Sequence, residues 1–119
     1  MRRIIAVLIT IFLLMPTTVH AGTLNARDGV NYYQGHKETY YNLPMRRVID
    51  RADANGLGGW YWEREDGAQM YGYYVIVAAN YDKYPYGTII DTSLGLGIIL
   101  DTGKFAVKNG DLVDIAVNW

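Results

Sequence analysis

Two aspartates in the C-terminal part of the chain stand where an ionised carboxylate is costly. Asp114 lies within the apolar run "LVDIAV", and Asp101 ends the run "GIILD". Because burial disfavours the charged form, a carboxyl group among apolar side chains holds its proton to higher pH and can act as a general acid near neutrality. Asp101 has a structural alternative, since the sequence Asp-Thr-Gly can begin a turn with an Asx hydrogen bond. Asp114 and Asp101 are therefore the candidate catalytic residues.

The remaining polar residues are weaker candidates for catalysis. A Ser-His-Asp triad would require His36, a lone histidine in the loop-like stretch "QGHKET". The chain has no cysteine, which excludes thiolate nucleophiles, cysteine-ligated metals and disulfides. No pair of histidines and no acidic cluster has metal-ligand spacing, and "SLGLG" does not follow a strand-to-helix pattern for binding phosphate. We therefore expect carboxylate chemistry with no metal and no cofactor.

The first 21 residues have the order of parts of a secretory signal peptide. Two arginines precede an apolar run over residues 4–15, Pro16 ends the run, and Ala21 supplies a small residue for cleavage. The run is short for a membrane-spanning helix, although an uncleaved N-terminal anchor is the alternative. We expect a protein that is secreted or held in the cell envelope, with no membrane association after cleavage.

The charge and aromatic content of the chain limit its partners. Two of the 11 lysines and arginines lie in residues 1–21, which leaves nine basic residues against 12 acidic ones. A mildly acidic domain lacks the electrostatic footprint of a nucleic-acid-binding protein. All 11 tyrosines and all three tryptophans follow residue 21. Their flat faces suit sugar rings, although the same residues also favour strands.

The elements that must position the two aspartates are mainly strands of one domain. Residues 22–35 are interpreted as a leader, and "KETYYN" as the first strand. The spacing of apolar residues in "NLPMRRVIDRADANG" predicts a short helix over about residues 44–54. Asp66-Gly67 predicts a hairpin between the strands "WYWERE" and "AQMYGYYVIVAAN". The apolar run "YYVIVAA" within the second strand predicts that it is buried on both faces. Further strands are predicted at "TIID", "LGIILD" and "LVDIAVNW", with a loop at "TGKFAVKNGD". Together these elements predict a small β-barrel of about six or seven strands with a helical insertion.

Four separated elements in the C-terminal half form a pattern of their own. They are Ala78-Ala79-Asn80, Pro85-Tyr86-Gly87-Thr88, Asp101-Thr102-Gly103 and Val113-Asp114-Ile115. Over about residues 72–117 their order, spacing and residue types resemble the three-aspartate (3D) domain of bacterial cell-wall proteins. The chain departs from that family at two positions: Asn80 replaces the first aspartate, and Lys104 replaces the second glycine of Asp-Thr-Gly-Gly.

The resemblance implies a fold and an activity. The implied fold is mainly β, a six-stranded double-psi β-barrel over residues 36–119 with one short helix inserted after the first strand. The implied activity is that of a peptidoglycan lytic transglycosylase, as in the similar barrel of membrane-bound lytic transglycosylase A. In this chain Asp114 matches the general acid/base and Asp101 matches the carboxylate that supports it.

The resemblance also indicates how peptidoglycan glycan strands, the expected partner, would be bound. Thr39, Tyr41, Asn80 and Thr102 would supply polar contacts, and Trp60 or Trp62 would stack on a sugar ring. We expect the protein to act as a monomer. One alternative is a non-catalytic glycan-binding module like the expansin-type barrels, which the loss of an aspartate at Asn80 favours. A further alternative is an interaction or inhibitor protein for another envelope enzyme.

Overall fold

The computed structural model describes residues 22–119, so the predicted signal peptide lies outside the described residues. This part of the chain is mainly β, as predicted, and contains eight strands and two short helices. The strands are β1 (Asn31–Tyr33), β2 (His36–Tyr41), β3 (Tyr61–Glu63), β4 (Gln69–Tyr71), β5 (Tyr74–Ala78), β6 (Ile89–Thr92), β7 (Gly95–Asp101) and β8 (Leu112–Ala116); the helices are α1 (Arg46–Ala54) and α2 (Phe105–Lys108). No helix within residues 22–119 is both long enough and apolar enough to cross a bilayer.

Strand β5 is the centre of a single mixed sheet. It pairs in parallel with β7 and antiparallel with both β4 and β8. Strand β8 pairs in parallel with β2, and the antiparallel pairs β1–β2, β3–β4 and β6–β7 complete the sheet. The strand pairings of residues 22–119 form one open sheet and not a closed barrel, so the six-stranded double-psi β-barrel stays a prediction.

Two differences from the predicted elements account for the extra strands. The stretch "AQMYGYYVIVAAN" was expected to be one strand, but Gly72 has a φ of +62° and turns the chain between β4 and β5. A left-handed φ of this kind is readily adopted by glycine and rarely by other residues. Strand β1 arises within the predicted leader, where Asn31 pairs with Glu38 of β2.

The leader also contributes to the core. Leu24 is only 1% exposed and packs in the same apolar cluster as Val77, Ile99 and Ile115. Its backbone N–H donates a hydrogen bond of 3.0 Å to the Ser93 hydroxyl oxygen. Residues 22–35 are therefore part of the folded domain.

The apolar run of β5 is buried on both faces, as predicted. Val75 and Val77 project into the cluster that holds Leu24, Ile99 and Ile115. Ile76 projects to the opposite face, into a second cluster that we call the helix-side cluster: Met45, Ala52, Tyr71, Ile76, Ile98, Leu100 and Ala116. Because side chains alternate along a strand, a run without polar residues requires an apolar partner on each side of the sheet.

Helix α1 covers the helix-side cluster. It begins at Arg46, two residues later than predicted, because Pro44 and Met45 precede the first helical turn. Met45 and Ala52 are buried against β7, and Gly56 follows the end of the helix with a φ of +75°. The predicted loop "TGKFAVKNGD" contains the one-turn helix α2, which sequence periodicity could not reveal in so short a segment.

Candidate functional site

The two candidate aspartates lie in one row across the sheet. Ala78 at the end of β5 is in register with Asp101 of β7 on one side and with Asp114 of β8 on the other. Asp114 is in turn in register with Thr39 of β2. Because neighbouring strands lie about 4.8 Å apart, the two aspartate backbones are separated by about 10 Å.

A β-bulge in β7 decides which way Asp101 points. Val77 pairs with Ile99, but the next residue, Ala78, pairs with Asp101, so Leu100 is an extra residue in β7. Without this extra residue Asp101 would be one position out of step and would project to the face opposite Asp114. The bulge therefore brings both carboxyl groups to the helix side of the sheet.

Asp114 is partly buried and bonded to the neighbouring strand. The Thr39 hydroxyl donates a hydrogen bond of 2.8 Å to Asp114 Oδ1. Burial raises the pKa of the Asp114 carboxyl, the negative charge of Asp101 raises it further, and the hydrogen bond from Thr39 acts in the opposite direction. The net shift is upward, which is the direction that favours a proton donor near neutral pH.

Asp101 accepts a hydrogen bond on each carboxylate oxygen. The Tyr41 hydroxyl donates to Asp101 Oδ2 at 3.0 Å, and the Thr102 backbone N–H donates to Oδ1 at 2.9 Å. Burial raises the pKa of Tyr41, as do the charges of Asp101 and Asp114, so this phenol keeps its proton and remains a donor. Of the predicted binding residues, Thr39 is thus bonded to Asp114 and Tyr41 to Asp101.

A groove of about 460 Å³ opens beside Asp101. It is lined by the N-terminal part of α1 and the end of β7: Leu43, Pro44, Met45, Arg47, Val48, Arg51, Leu100 and Asp101. Asp114 is not among the lining residues, since it lies on the far side of Ala78 from Asp101. The volume falls in the range of about 300–1,000 Å³ that small-molecule sites occupy.

Two tyrosines that the sequence analysis did not name as site residues contact Arg51, one of the residues that line this groove. The rings of Tyr81 and Tyr86 meet edge to face with centroids 5.9 Å apart. The Arg51 guanidinium lies 4.5 Å from the Tyr86 centroid and donates a hydrogen bond of 3.3 Å to the Tyr81 hydroxyl. The signal that could have identified them is the tyrosine-rich connector "YDKYPYG" immediately after β5.

Asn80 and Thr102 share a shallow depression of about 180 Å³ next to Asp101. The Asn80 side chain donates a hydrogen bond of 2.8 Å to the Ala106 carbonyl and accepts one of 2.7 Å from the Asp82 backbone N–H. These bonds tie the end of β5 to helix α2. Asn80 therefore has a structural role that an amide can fill and that needs no negative charge.

Trp60 and Trp62 are not brought to the aspartates. Trp60 packs edge to face on Tyr73, with centroids 5.1 Å apart, beside the turn at Gly72. Trp62 donates its indole N–H to the Gly72 carbonyl at 2.7 Å. Both tryptophans thus belong to the β3–β4 hairpin and its neighbouring turn, and the aromatic residues that contact the groove residue Arg51 are tyrosines instead.

A second buried acid, Glu38, lies outside this site. Its carboxylate accepts hydrogen bonds from the Ser93 backbone N–H at 2.8 Å and the Ser93 hydroxyl at 2.5 Å, and His36 Nε2 lies 3.4 Å away. Burial alone would raise the pKa of Glu38, but the contacts with His36, Ser93 and Asn31 outweigh it and hold the pKa below its usual range. Because Ser93 bonds to the glutamate and not to the histidine, this cluster is not a Ser-His-acid triad.

Within residues 22–119 no group of three or more histidine, aspartate or glutamate side chains could hold a metal ion. Comparison of the chain with protein-family models, with characterised proteins and with solved structures gives no match. The function must therefore be inferred from the geometry of the aspartate row and from the motifs that form it.

Proposed function

We propose that this protein is an exported, monomeric lytic transglycosylase that cleaves the glycan strands of peptidoglycan in the cell envelope. The observation that carries the proposal is the row formed by Asp101, Ala78 and Asp114, in which Asp114 is partly buried and has a raised pKa. The four-element resemblance to the 3D domain supplies the substrate class. It also suggests that the open sheet is a variant of the double-psi barrel.

The chemistry requires one carboxyl group that can give and then take a proton. Asp114 would donate its proton to the oxygen that links N-acetylmuramic acid to N-acetylglucosamine, and the bond from C1 of the muramyl sugar to that oxygen would break. The muramyl 6-hydroxyl oxygen would then bond to C1 and return its proton to Asp114, which leaves a 1,6-anhydro end. Because the substrate supplies the nucleophile, this reaction needs no second catalytic carboxylate of the ordinary glycosidase kind.

Asp101 has a supporting role in this scheme. With a hydrogen bond donated to each of its oxygens, it is held in place beside the groove as a fixed acceptor. Its charge raises the pKa of Asp114 and would stabilise positive charge that develops on the sugar ring during bond cleavage. Thr39 fixes the orientation of the Asp114 carboxyl group.

The test is digestion of purified sacculi by the mature protein, with mass spectrometry of the released fragments. We expect 1,6-anhydro-muropeptides from the wild type and a loss of about 10²–10⁴-fold in the Asp114→Asn variant, because the proton donor is gone while the side-chain shape is kept. Activity that survives this substitution would remove Asp114 from its role. Fragments with reducing ends in place of anhydro ends would indicate a hydrolase.

One observation favours the non-catalytic alternative, a glycan-binding module. Trp60 and Tyr73 are 50% and 79% exposed, and their rings form a platform separate from the aspartate row. Exposed aromatic faces of this kind stack on sugars without cleaving them. Co-sedimentation with sacculi that is lost in Trp60→Ala, with no soluble fragments released by the wild type, would support this alternative.

A further inference from the structure

The groove beside Asp101 has a positively charged wall. Arg47 and Arg51 are four residues apart, so they lie on the same side of α1, and both line the groove. Asp101 is the single acidic residue among the lining residues of this groove. The hydroxyl and N-acetyl groups of a neutral glycan can accept hydrogen bonds from guanidinium groups, but they do not neutralise the two positive charges.

The guanidinium of Arg51 is held in position by aromatic side chains. It stacks 4.5 Å from the Tyr86 centroid and 5.8 Å from the Tyr81 centroid, and it donates a hydrogen bond to the Tyr81 hydroxyl. Tyr86 is itself fixed, because its hydroxyl accepts a hydrogen bond of 3.4 Å from the Asn55 amide. Stacking uses the face of the guanidinium and leaves most of its N–H groups at the edge available.

Within residues 22–119 neither arginine forms an ion pair shorter than 4.0 Å, whereas the adjacent Arg46 pairs with Asp50 at 3.8 Å. A positive charge that is oriented but not neutralised by its own protein is suited to an anionic ligand. Guanidinium groups match the planar, two-oxygen geometry of a carboxylate better than that of a single hydroxyl.

We propose that Arg47 and Arg51 form a subsite for a carboxylate group carried by the glycan, next to the aspartate row. The identity of the glycan rests on the proposed function. In peptidoglycan the carboxylate could belong to the lactyl ether of the muramyl sugar in a strand without peptides, or to the stem peptide where the lactyl group is in amide linkage. The shared chemistry is a carboxylate a short distance from the bond that is cut.

The test is isothermal titration of the Asp114→Asn protein, which prevents turnover, with three tetrasaccharides. These are chitotetraose, which is neutral, a muramyl tetrasaccharide with free lactyl carboxylates, and the same tetrasaccharide bearing stem peptides. We expect Arg51→Gln to weaken binding of an acidic tetrasaccharide by about tenfold or more and to leave binding of chitotetraose unchanged. The acidic ligand that loses the most affinity identifies the source of the carboxylate.

Two further variants separate charge from geometry. Arg51→Lys keeps the charge but loses the bidentate fork, so it should weaken binding by less than Arg51→Gln. Arg46→Gln is the matched control. Arg46 lies on the same helix but does not line the groove, and it is already paired with Asp50. It should change none of the three affinities.

Equal losses for neutral and acidic ligands, or equal effects of Arg51→Gln and Arg46→Gln, would overturn the subsite. That failure differs from failure of the proposed function. Sacculus digestion without any charge preference in binding would leave the transglycosylase standing and remove the subsite. Preference for acidic glycans in a protein that releases no fragments would leave the subsite standing and remove the enzyme.

Discussion

Replacing Asp114 by asparagine should stabilise the protein at neutral pH while it abolishes activity. The pKa of Asp114 is raised in the folded state, so folded protein binds that proton more tightly than unfolded protein does. Stability therefore falls as the pH rises above the unfolded pKa, and the loss is complete above the folded pKa. Asparagine carries no charge at either pH and can still accept the hydrogen bond from Thr39.

Burial is the first cause of the raised pKa of Asp114, and the part of the effect that comes from the charge of Asp101 can be sized from the row of strands. Two strand spacings place the aspartate backbones about 10 Å apart, where the repulsion between two unit charges is about 1.7 kcal/mol at an effective dielectric constant of about 20 and about 0.4 kcal/mol at about 80. We therefore expect the free energy of unfolding to rise by about 1 kcal/mol. In a domain of this size that corresponds to an increase in melting temperature of about 4–8 °C.

The assay is thermal unfolding of the wild type and the variant at neutral pH and again in acid, where the wild-type carboxyl group is also neutral. The gain should be present at neutral pH and vanish in acid. The control is Asp91→Asn, an exposed position on β6, which should change stability by less than about 0.5 kcal/mol. A variant that melts below the wild type at neutral pH would show that the Asp114 carboxylate stabilises the fold. A gain that persists in acid would show that the gain does not come from the charge of Asp114.

Two further substitutions test the hydrogen bonds of the structure. Glu38→Gln should destabilise the protein by about 2 kcal/mol at neutral pH in urea unfolding, because bonds to a charged acceptor are lost. Since the pKa of Glu38 is held below its usual range, the wild type loses this contribution as the pH falls, so the difference should shrink in acid; a constant difference would contradict the charge argument. Tyr41→Phe should lower the rate of glycan cleavage about tenfold and change stability by no more than about 1.5 kcal/mol, measured by fragment release and by melting; unchanged cleavage would show that Asp101 needs no donor there.

The sequence was sufficient to predict the elements that carry the two aspartates. The apolar runs that end at Asp101 and surround Asp114 are local signals, and β7 and β8 lie where they indicate. The helical spacing after Pro44 likewise predicts α1. The prediction of one strand over "AQMYGYYVIVAAN" was wrong because a single glycine, Gly72, reverses the chain. An isolated glycine in a strand pattern does not reveal whether it marks a turn or a bulge.

The contacts of the site depend on pairing between distant segments, which local patterns do not record. Thr39 and Asp114 are 75 positions apart, and Tyr41 and Asp101 are 60 apart, yet each pair is hydrogen-bonded. The prediction that a tryptophan would stack at the site rested on aromatic character alone, which does not specify the edge of the sheet. Trp60 accordingly lies at the hairpin, and Tyr81 and Tyr86 lie against Arg51 beside the groove.

The extra residue at Leu100 makes the site depend on chain length as well as on residue type. Deletion of Leu100 would restore regular pairing between β5 and β7. The carboxylate of Asp101 would then turn away from Asp114, although both aspartates would still be present. Natural variants of this chain that keep both aspartates should therefore have no one-residue deletion at the end of β7.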